Sequence, residues 1–429
     1  MRFITKITVI CFISLLMTSF LPQAYCIEGN VLWARTFDIG GRADYAYRVA
    51  TDSLNNIAVF GSSWNGANYD YNLIKYDYNG TLIWQRSYSS SDYDYGYGVG
   101  CDAYNNIIVT GWRGNWPNSF DIYTIKYDTN GNVLWQVTYN SGRNDRPYDL
   151  AIDRSNNIII VGASNNGNNE DVILLKYDSG GNLYPGWPKT YNSSFNRNDE
   201  GYAIAIDSSN NILVSGISNN GTNNDYLTLK YDSNGNLIWY KIYDLGGDDK
   251  AYGVTCDYSN NIIVTGKANG KFHTIKYAPF GSIVWERDIP VGTNDELWDI
   301  DVDTYNNIFL AGEYTSATRD FVTIKYDLNG NLIWQKLYNK GLDERAYSLT
   351  VDLANNIIVG GFTGIYGTNS VDFLTIKYQG TPPAVNRNRE LPMEEISRIL
   401  NLNFPNRNIG ELIEECEKNP DAKGCPPQD

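Results

Sequence analysis

The stretch Asn105-Asn106-Ile107-Ile108-Val109-Thr110-Gly111, followed by Asp121-Ile122-Tyr123-Thr124-Ile125-Lys126-Tyr127-Asp128-Thr129-Asn130-Gly131-Asn132-Val133-Leu134-Trp135, decides the fold. Two asparagines open a β-branched apolar run, a second strand-like run follows, and Tyr-Asp-Thr-Asn-Gly separates it from a third. β-Branched and aromatic residues suit strands, while Asn and Gly supply the positive φ that tight turns need. Asn-Asn-Ile starts at Asn55, Asn105, Asn156, Asn210, Asn260, Asn306 and Asn355, at spacings of 50, 51, 54, 50, 46 and 49 residues. A Lys-Tyr pair follows each copy, at Lys75, Lys126, Lys176, Lys230, Lys276, Lys325 and Lys377. A third marker is Trp, at Trp33, Trp84, Trp135, Trp187, Trp239, Trp285 and Trp334. Seven units of near-equal length, each with strand-and-turn composition, predict a propeller.

Each unit reads as four strands. In the second they are Tyr97 to Asp102, Asn106 to Gly111, Asp121 to Tyr127, and Asn132 to Tyr139. The innermost strand alternates, so that in the fourth unit Tyr202, Ile204 and Ile206 share one face and Ala203 and Ala205 the other. The second strand is continuously apolar, as a strand covered on both faces must be. A Trp strand, Asn30 to Phe37, precedes the first unit, and the last unit stops after Tyr378 without one. Pairing that strand with Asp372 to Tyr378 closes the ring and removes its free edge. The expected architecture is therefore all-β: a seven-bladed propeller over residues 27–380, followed by a helical tail over 381–429. In the tail, Pro392 precedes Ile396, Ile399 and Leu400 at helical spacing, and a second helix is expected near Ile409 to Lys418.

The pattern Asp-x-x-x-x-Lys-Tyr-Asp-x-x-Gly-x-x-x-Trp, at Asp121 to Trp135, resembles the bacterial and archaeal β-propeller repeat family over roughly residues 28–380. That resemblance implies extracellular or cell-surface scaffold and binding roles, with no shared catalytic residues. The fifth unit departs from it at Lys271 and Ala278, and the third carries two extra residues before Trp187. The Asp-x-x-Gly-x-x-x-Trp portion is also similar to the tryptophan-docking repeat of propeller quinoprotein dehydrogenases. There the repeat count and the Asp-to-Gly spacing each fall one short, and no adjacent cysteine pair is present.

A formal net charge of −15 argues against nucleic acid as a partner. Arg2 and Lys6, an apolar run from Ile7 to Leu21, and Ala24-Tyr25-Cys26 read as a signal peptide over residues 1–26. The run is short for a membrane span, so the expectation is a secreted or cell-surface protein with no transmembrane span in the mature chain. Cys101 and Cys256 occupy equivalent repeat positions and read as small buried hydrophobes. Cys416 and Cys425 lie close together in the tail, and export predicts a disulfide between them.

Residues present in every repeat serve the repeat. That covers the marker Trp residues, the Lys residues with the equally repeated Asp, and the acid before each inner strand: Asp44, Asp94, Asp145, Asp199, Asp249, Asp295 and Glu344. The last set reads as turn caps in preference to a cation-attracting ring. Trp64, Trp112 and Trp116 fall in loops between second and third strands of blades 1 and 2, on the same face as Tyr69, Tyr93 and Tyr95. Loops of variable length on a rigid scaffold are where ligands bind. These aromatics, with the Asn-rich loops at 164–170 and 218–224, form a candidate site for a protein or for a sugar that stacks and hydrogen-bonds. A second candidate is Trp298-Asp299-Ile300-Asp301, whose carboxylates share the axial register of Arg48 and Asp149. Such charges either line a wet channel or pair across it. The single histidine, His273, sits in a strand without a nucleophile motif nearby and reads as a packing residue. The expectation is a non-enzymatic binding or scaffold module, with no cofactor and no metal, for an unknown protein or glycan.

Overall fold

The computed structural model describes residues 28–114, 119–290, 295–315, 318–365, 368 and 370–381. The segments expected to form a signal peptide, two tail helices and a Cys416–Cys425 disulfide lie outside the described residues. No helix among the described residues is long and apolar enough to cross a membrane.

Residues 29–381 build seven four-stranded antiparallel sheets. Blades 1 to 6 are contiguous in sequence, at 44–88, 93–139, 145–191, 199–243, 250–290 and 296–338. Blade 7 takes three strands from 343–378 and its fourth from Val31–Phe37. That strand lies against Val371–Tyr378 with Phe37 opposite Phe373 and Ala34 opposite Ile376, the pairing the repeat count demanded. The core lies between blades. Phe60 and Leu73 of blade 1 pack on Val99, Val109 and Ile125 of blade 2, and Ile358 and Phe373 of blade 7 on Val49, Val59 and Ile74 of blade 1. Burial of these continuous apolar second and third strands drives the stacking.

The repeated polar residues fasten the ring. The first Asn of each Asn-Asn-Ile adopts a left-handed φ of 60–63°. Its side-chain oxygen accepts an N–H from the preceding blade: Asn105 from Ser53, Asn156 from Ala103, and so on around the ring to Asn55 from Leu353, each of these at 2.9 Å. The second Asn holds the turn aspartate, as Asn106 does Asp102 at 2.9 Å. The same aspartate pairs with Lys126 at 2.9 Å, and Lys126 donates to the Ser179 carbonyl of the next blade at 3.1 Å. In blade 6 the corresponding Asp303 and Lys325 both bond the Thr381 hydroxyl, which stands where other blades present a turn.

Asn105→Ala is expected to cost about 2 kcal/mol, from a lost hydrogen bond and from a left-handed backbone that Asn adopts more readily than Ala. Asn105→Gly keeps the backbone and should cost about half as much. Denaturant midpoints check the order; equal losses would contradict it.

The inner strands differ from the simple alternation expected. In blade 2 the strand runs Tyr93–Cys101, starting before Tyr97, and a β-bulge interrupts its ladder between Gly96 and Gly98. The same bulge recurs in every blade. In blade 4, Ile204 and Ile206 face as predicted while Tyr202 leaves the ladder. The glycine at the fifth position of each second strand answers this bulge: a β-carbon on Gly111 would lie 2.1 Å from the Tyr95 carbonyl oxygen.

Candidate functional site

The bulge throws one aromatic per blade toward the axis. These are Tyr47, Tyr97, Tyr148, Tyr202, Tyr252, Trp298 and Tyr347, and they contact one another in a closed cycle. Centroid separations run 5.4, 5.8, 5.2, 5.5, 4.3, 5.3 and finally 5.5 Å from Tyr347 back to Tyr47. Trp298, singled out in the sequence as an oddity, is the blade 6 member of this ring. Its equivalence to six tyrosines lies in the repeat itself: Trp298 stands three residues after Asp295, as Tyr47 does after Asp44 and Tyr97 after Asp94.

Immediately beyond the ring, Arg48 of blade 1 reaches Asp149 of blade 3 at 3.3 Å and Asp299 of blade 6 at 3.2 Å. These blades are not neighbours, so the triad spans the axis. The side chains of Arg48 and Asp149 are 12% and 14% exposed. Each carboxylate here also holds the next blade. Asp299 Oδ2 accepts Leu349 N–H at 2.9 Å and the Ser348 hydroxyl at 2.8 Å, Asp301 accepts Val351 N–H at 2.9 Å, and Asp149 accepts Ile204 N–H at 3.3 Å. The innermost strand of a blade has its free edge at the axis, and these carboxylates satisfy the N–H groups stranded there. Burial lifts Asp149 and Asp301 to about 6, with Arg48 opposing the shift at Asp149. Asp299 and Asp301, expected as ligand residues, are thus engaged in blade-to-blade bonds and a cross-axis ion triad.

The mouth of the ring is formed two residues earlier in each inner strand, by Tyr45, Tyr95, Arg146, Glu200, Lys250, Glu296 and Arg345. One side of it is aromatic. Trp64 meets Tyr69 at 5.1 Å and Tyr93 at 6.4 Å, Tyr69 meets Tyr95 at 4.8 Å, and Tyr95 meets Trp112 at 4.6 Å. Tyr93 stacks on Tyr95 at 6.2 Å, and Trp112 rests on Phe120 at 4.5 Å. Five of the predicted residues, Trp64, Tyr69, Tyr93, Tyr95 and Trp112, therefore share one half-buried arc; Trp116 lies outside the described residues. Tyr45, which the sequence reading passed over, joins this arc to the axial ring through Tyr69 at 6.2 Å and Tyr47 at 6.3 Å. Its position two residues before the ring tyrosine was the available signal.

The other side is charged. Arg146 pairs with Glu170 at 3.0 Å, Lys267 with Glu296 at 3.7 Å, and Arg345 with Glu313 at 3.3 Å, while the Tyr148 hydroxyl donates to Glu200 at 3.0 Å. A cleft of about 440 Å³ opens here, its wall including Arg197, Glu200, Tyr202, Asn219 and Lys250.

The amides of the Asn-rich loops are engaged within those loops. Blades 1, 3 and 4 share Asn-Gly-x-Asn-x-Asp, and its amides close their own turns: Asn166 Nδ2 donates to Asn169 and Asp171 at 2.8 Å, and Asn220 Nδ2 to Asn223 at 2.8 Å and Asp225 at 3.0 Å. The acids that precede the inner strands cap backbone turns, Asp94 accepting Ser90 N–H at 2.8 Å and Asp145 accepting Ser141 N–H at 2.7 Å. His273 is 2% exposed, with Nδ1 2.6 Å from Asp288 Oδ1 and its ring stacked on Tyr243. Cys101 and Cys256 are free, and burial pushes both thiols up to about 12.

No family model matches the chain. An uncharacterised WD repeat-containing protein of Acanthamoeba polyphaga mimivirus is 28% identical over 110 residues, 22% of this chain and 8% of that protein. The chain thus spans under a tenth of the length of that relative. Among solved structures, a catalytically inactive virginiamycin B lyase from Staphylococcus aureus, with quinupristin, superposes with a TM-score of 0.52 at 12% identity, over 80% of this chain and 99% of the other. Sqt1 from Chaetomium thermophilum, bound to the N-terminus of ribosomal protein L10, gives 0.50 at 11% identity, over 82% and 100%. These likenesses and the seven closed blades make the architecture that of a β-propeller.

Proposed function

We propose that this chain is an exported, non-catalytic binding module that takes a protein segment on the mouth of its ring. The observation that carries the reading is the divided mouth, in which the arc Trp64–Tyr69–Tyr95–Trp112 runs into Arg146, Glu200 and Lys250 across blades 1 to 5. Tyr and Trp give large contact area at low entropic cost, and adjacent charges of both signs fix orientation. A sugar would draw on amides beside the aromatics, and that of Asn65, next to Trp64, is occupied by Asp70 within its own turn. The propeller of Sqt1, bound to the N-terminus of L10, is a precedent for the architecture holding a peptide. A non-catalytic role fits a lone histidine enclosed against Asp288 and two thiols held protonated by burial.

The test is selection of peptides from a displayed library by residues 27–429, beside a glycan array and a Tyr95→Ala, Trp112→Ala variant. Peptides whose affinity falls at least about tenfold in a variant that still melts cooperatively are expected, since buried aromatic anchors dominate such interfaces. Glycan binding lost in the variant would transfer the same arc to sugars. Peptides held equally by both proteins would remove the mouth from the reading.

A further inference from the structure

The junctions between blades carry a pattern of carboxylates that the mouth does not use. At six of the seven junctions the acid heading one inner strand is matched by an acid opening the third strand of the preceding blade, as Asp94 is by Asp70 and Asp145 by Asp121; at the junction of blades 5 and 6 that place is taken by Lys271. The residue just past the fourth strand faces the same junction, and in sister blades it is Ser89, Asn140, Asn192 or Asn339. At two junctions it is a third aspartate. The clusters Asp38–Asp44–Asp372, between blades 7 and 1, and Asp225–Asp244–Asp249, between blades 4 and 5, each place three carboxylate oxygens within 4.8 Å of one another.

We propose that each of these two clusters binds a calcium-class divalent cation. Three points no more than 4.8 Å apart all lie within about 2.8 Å of a common centre, close to the 2.3–2.6 Å that calcium needs and wide for magnesium. Asp44 and Asp225 are buried, and in each Oδ1 has no hydrogen-bond partner. Asp225 uses only Oδ2, toward Asn220 at 3.0 Å; Asp44 uses Oδ2 toward Ile39 N–H at 2.6 Å, with the Ser63 hydroxyl nearby but unaligned. A buried carboxylate oxygen left unpaired beside two further carboxylates lacks a positive partner. The neighbouring charges on Asp44 and Asp225 are the clusters' own carboxylates. Asp38 and Asp244 are exposed, which leaves solvent access and room for water ligands. The cation between blades 7 and 1 would join the residue after the closing strand, the last blade and the first, and so staple the ring where the chain is not continuous.

The experiment is calorimetric titration of calcium into residues 27–429 at neutral pH after chelation, with thermal melting alongside. Two cations per chain are expected, with Kd of about 10⁻⁴ M, as in extracellular calcium modules. Asp38→Asn and Asp244→Asn should each remove one, and the double variant both, together with any calcium-dependent rise in Tm. Both substitutions install the Asn that sister junctions carry, so folding without calcium should be unchanged. Absence of saturable binding, or binding that survives in the double variant, would overturn the proposal; loss of one site alone would overturn it for the cluster whose variant still binds.

Discussion

A chain lacking residues 1–38 is expected to lose cooperative folding and to aggregate. Removing Val31–Phe37 bares the edge Val371–Tyr378, whose residues other than Asp372 are otherwise buried. Trp33 and Phe37 leave the cluster of Val49, Ile74 and Phe373, and Arg35 no longer bonds the Gly80 carbonyl at 2.8 Å. About six ladder bonds at roughly 1 kcal/mol each, with two half-buried aromatics at about 1 kcal/mol each, rival a typical domain's stability of about 5–15 kcal/mol. An exposed apolar edge strand is also a template for pairing between chains. Size-exclusion chromatography and thermal melting are the measurements, and a monomer that melts in one sharp transition would count against this closure. Gly29 N–H and Gln379 N–H each donate at 2.7 Å across the two chain ends, to the Gln379 and Asn30 carbonyls. A permuted chain carrying residues 28–38 after Thr381 should therefore regain the fold.

Arg48→Ala is expected to destabilise the protein by about 3–5 kcal/mol at pH 7.5, because it leaves Asp149 and Asp299 facing each other without their cation. Replacing all three, by Arg48→Met, Asp149→Asn and Asp299→Asn, should cost less, since no buried charge is then left alone. The deficit also depends on pH. Asp149 has a folded pKa of about 6 against an ordinary 3.8, so it favours the folded state below 3.8 and loses that contribution as pH rises through 6. Asp301 and Asp94, at about 6, and Asp44, at about 7, act in the same direction. Asp102, Asp207 and Asp257 oppose them: hydrogen bonds hold them below 3.8, and their contribution is lost only as pH falls beneath that value. In chelator, the wild type should melt highest near pH 4, and the Arg48→Ala deficit should shrink as pH falls from 7.5 through 6 and Asp149 takes up a proton. A deficit that is constant between pH 5 and 7.5 would rule out this account of the triad.

The blade count, the closing strand and the repeated Lys–Asp pairs were legible because each is a local pattern copied seven times. A period near fifty residues with turn asparagines and β-branched strands admits few arrangements, and the unmatched Trp strand at the beginning leaves one way to close them. Asn-Asn-Ile likewise announced a turn, although the fastening of Asn55 to Leu353 needed the ring itself. The aromatic arc was visible in part, since Trp64 and Trp112 break the repeat and attract notice. Tyr47 and its counterparts obey the repeat and were discounted with it, although the ring they form lines the axis. What the tertiary structure decided is everything that joins blades far apart in sequence: Arg48 with Asp149 and Asp299, the division of the mouth into aromatic and charged sides, and the meeting of Asp38, Asp44 and Asp372. Periodicity constrains each blade with its own neighbours, whereas residues facing the axis or a junction meet partners set only by the bulge, the strand register and the closure of the ring.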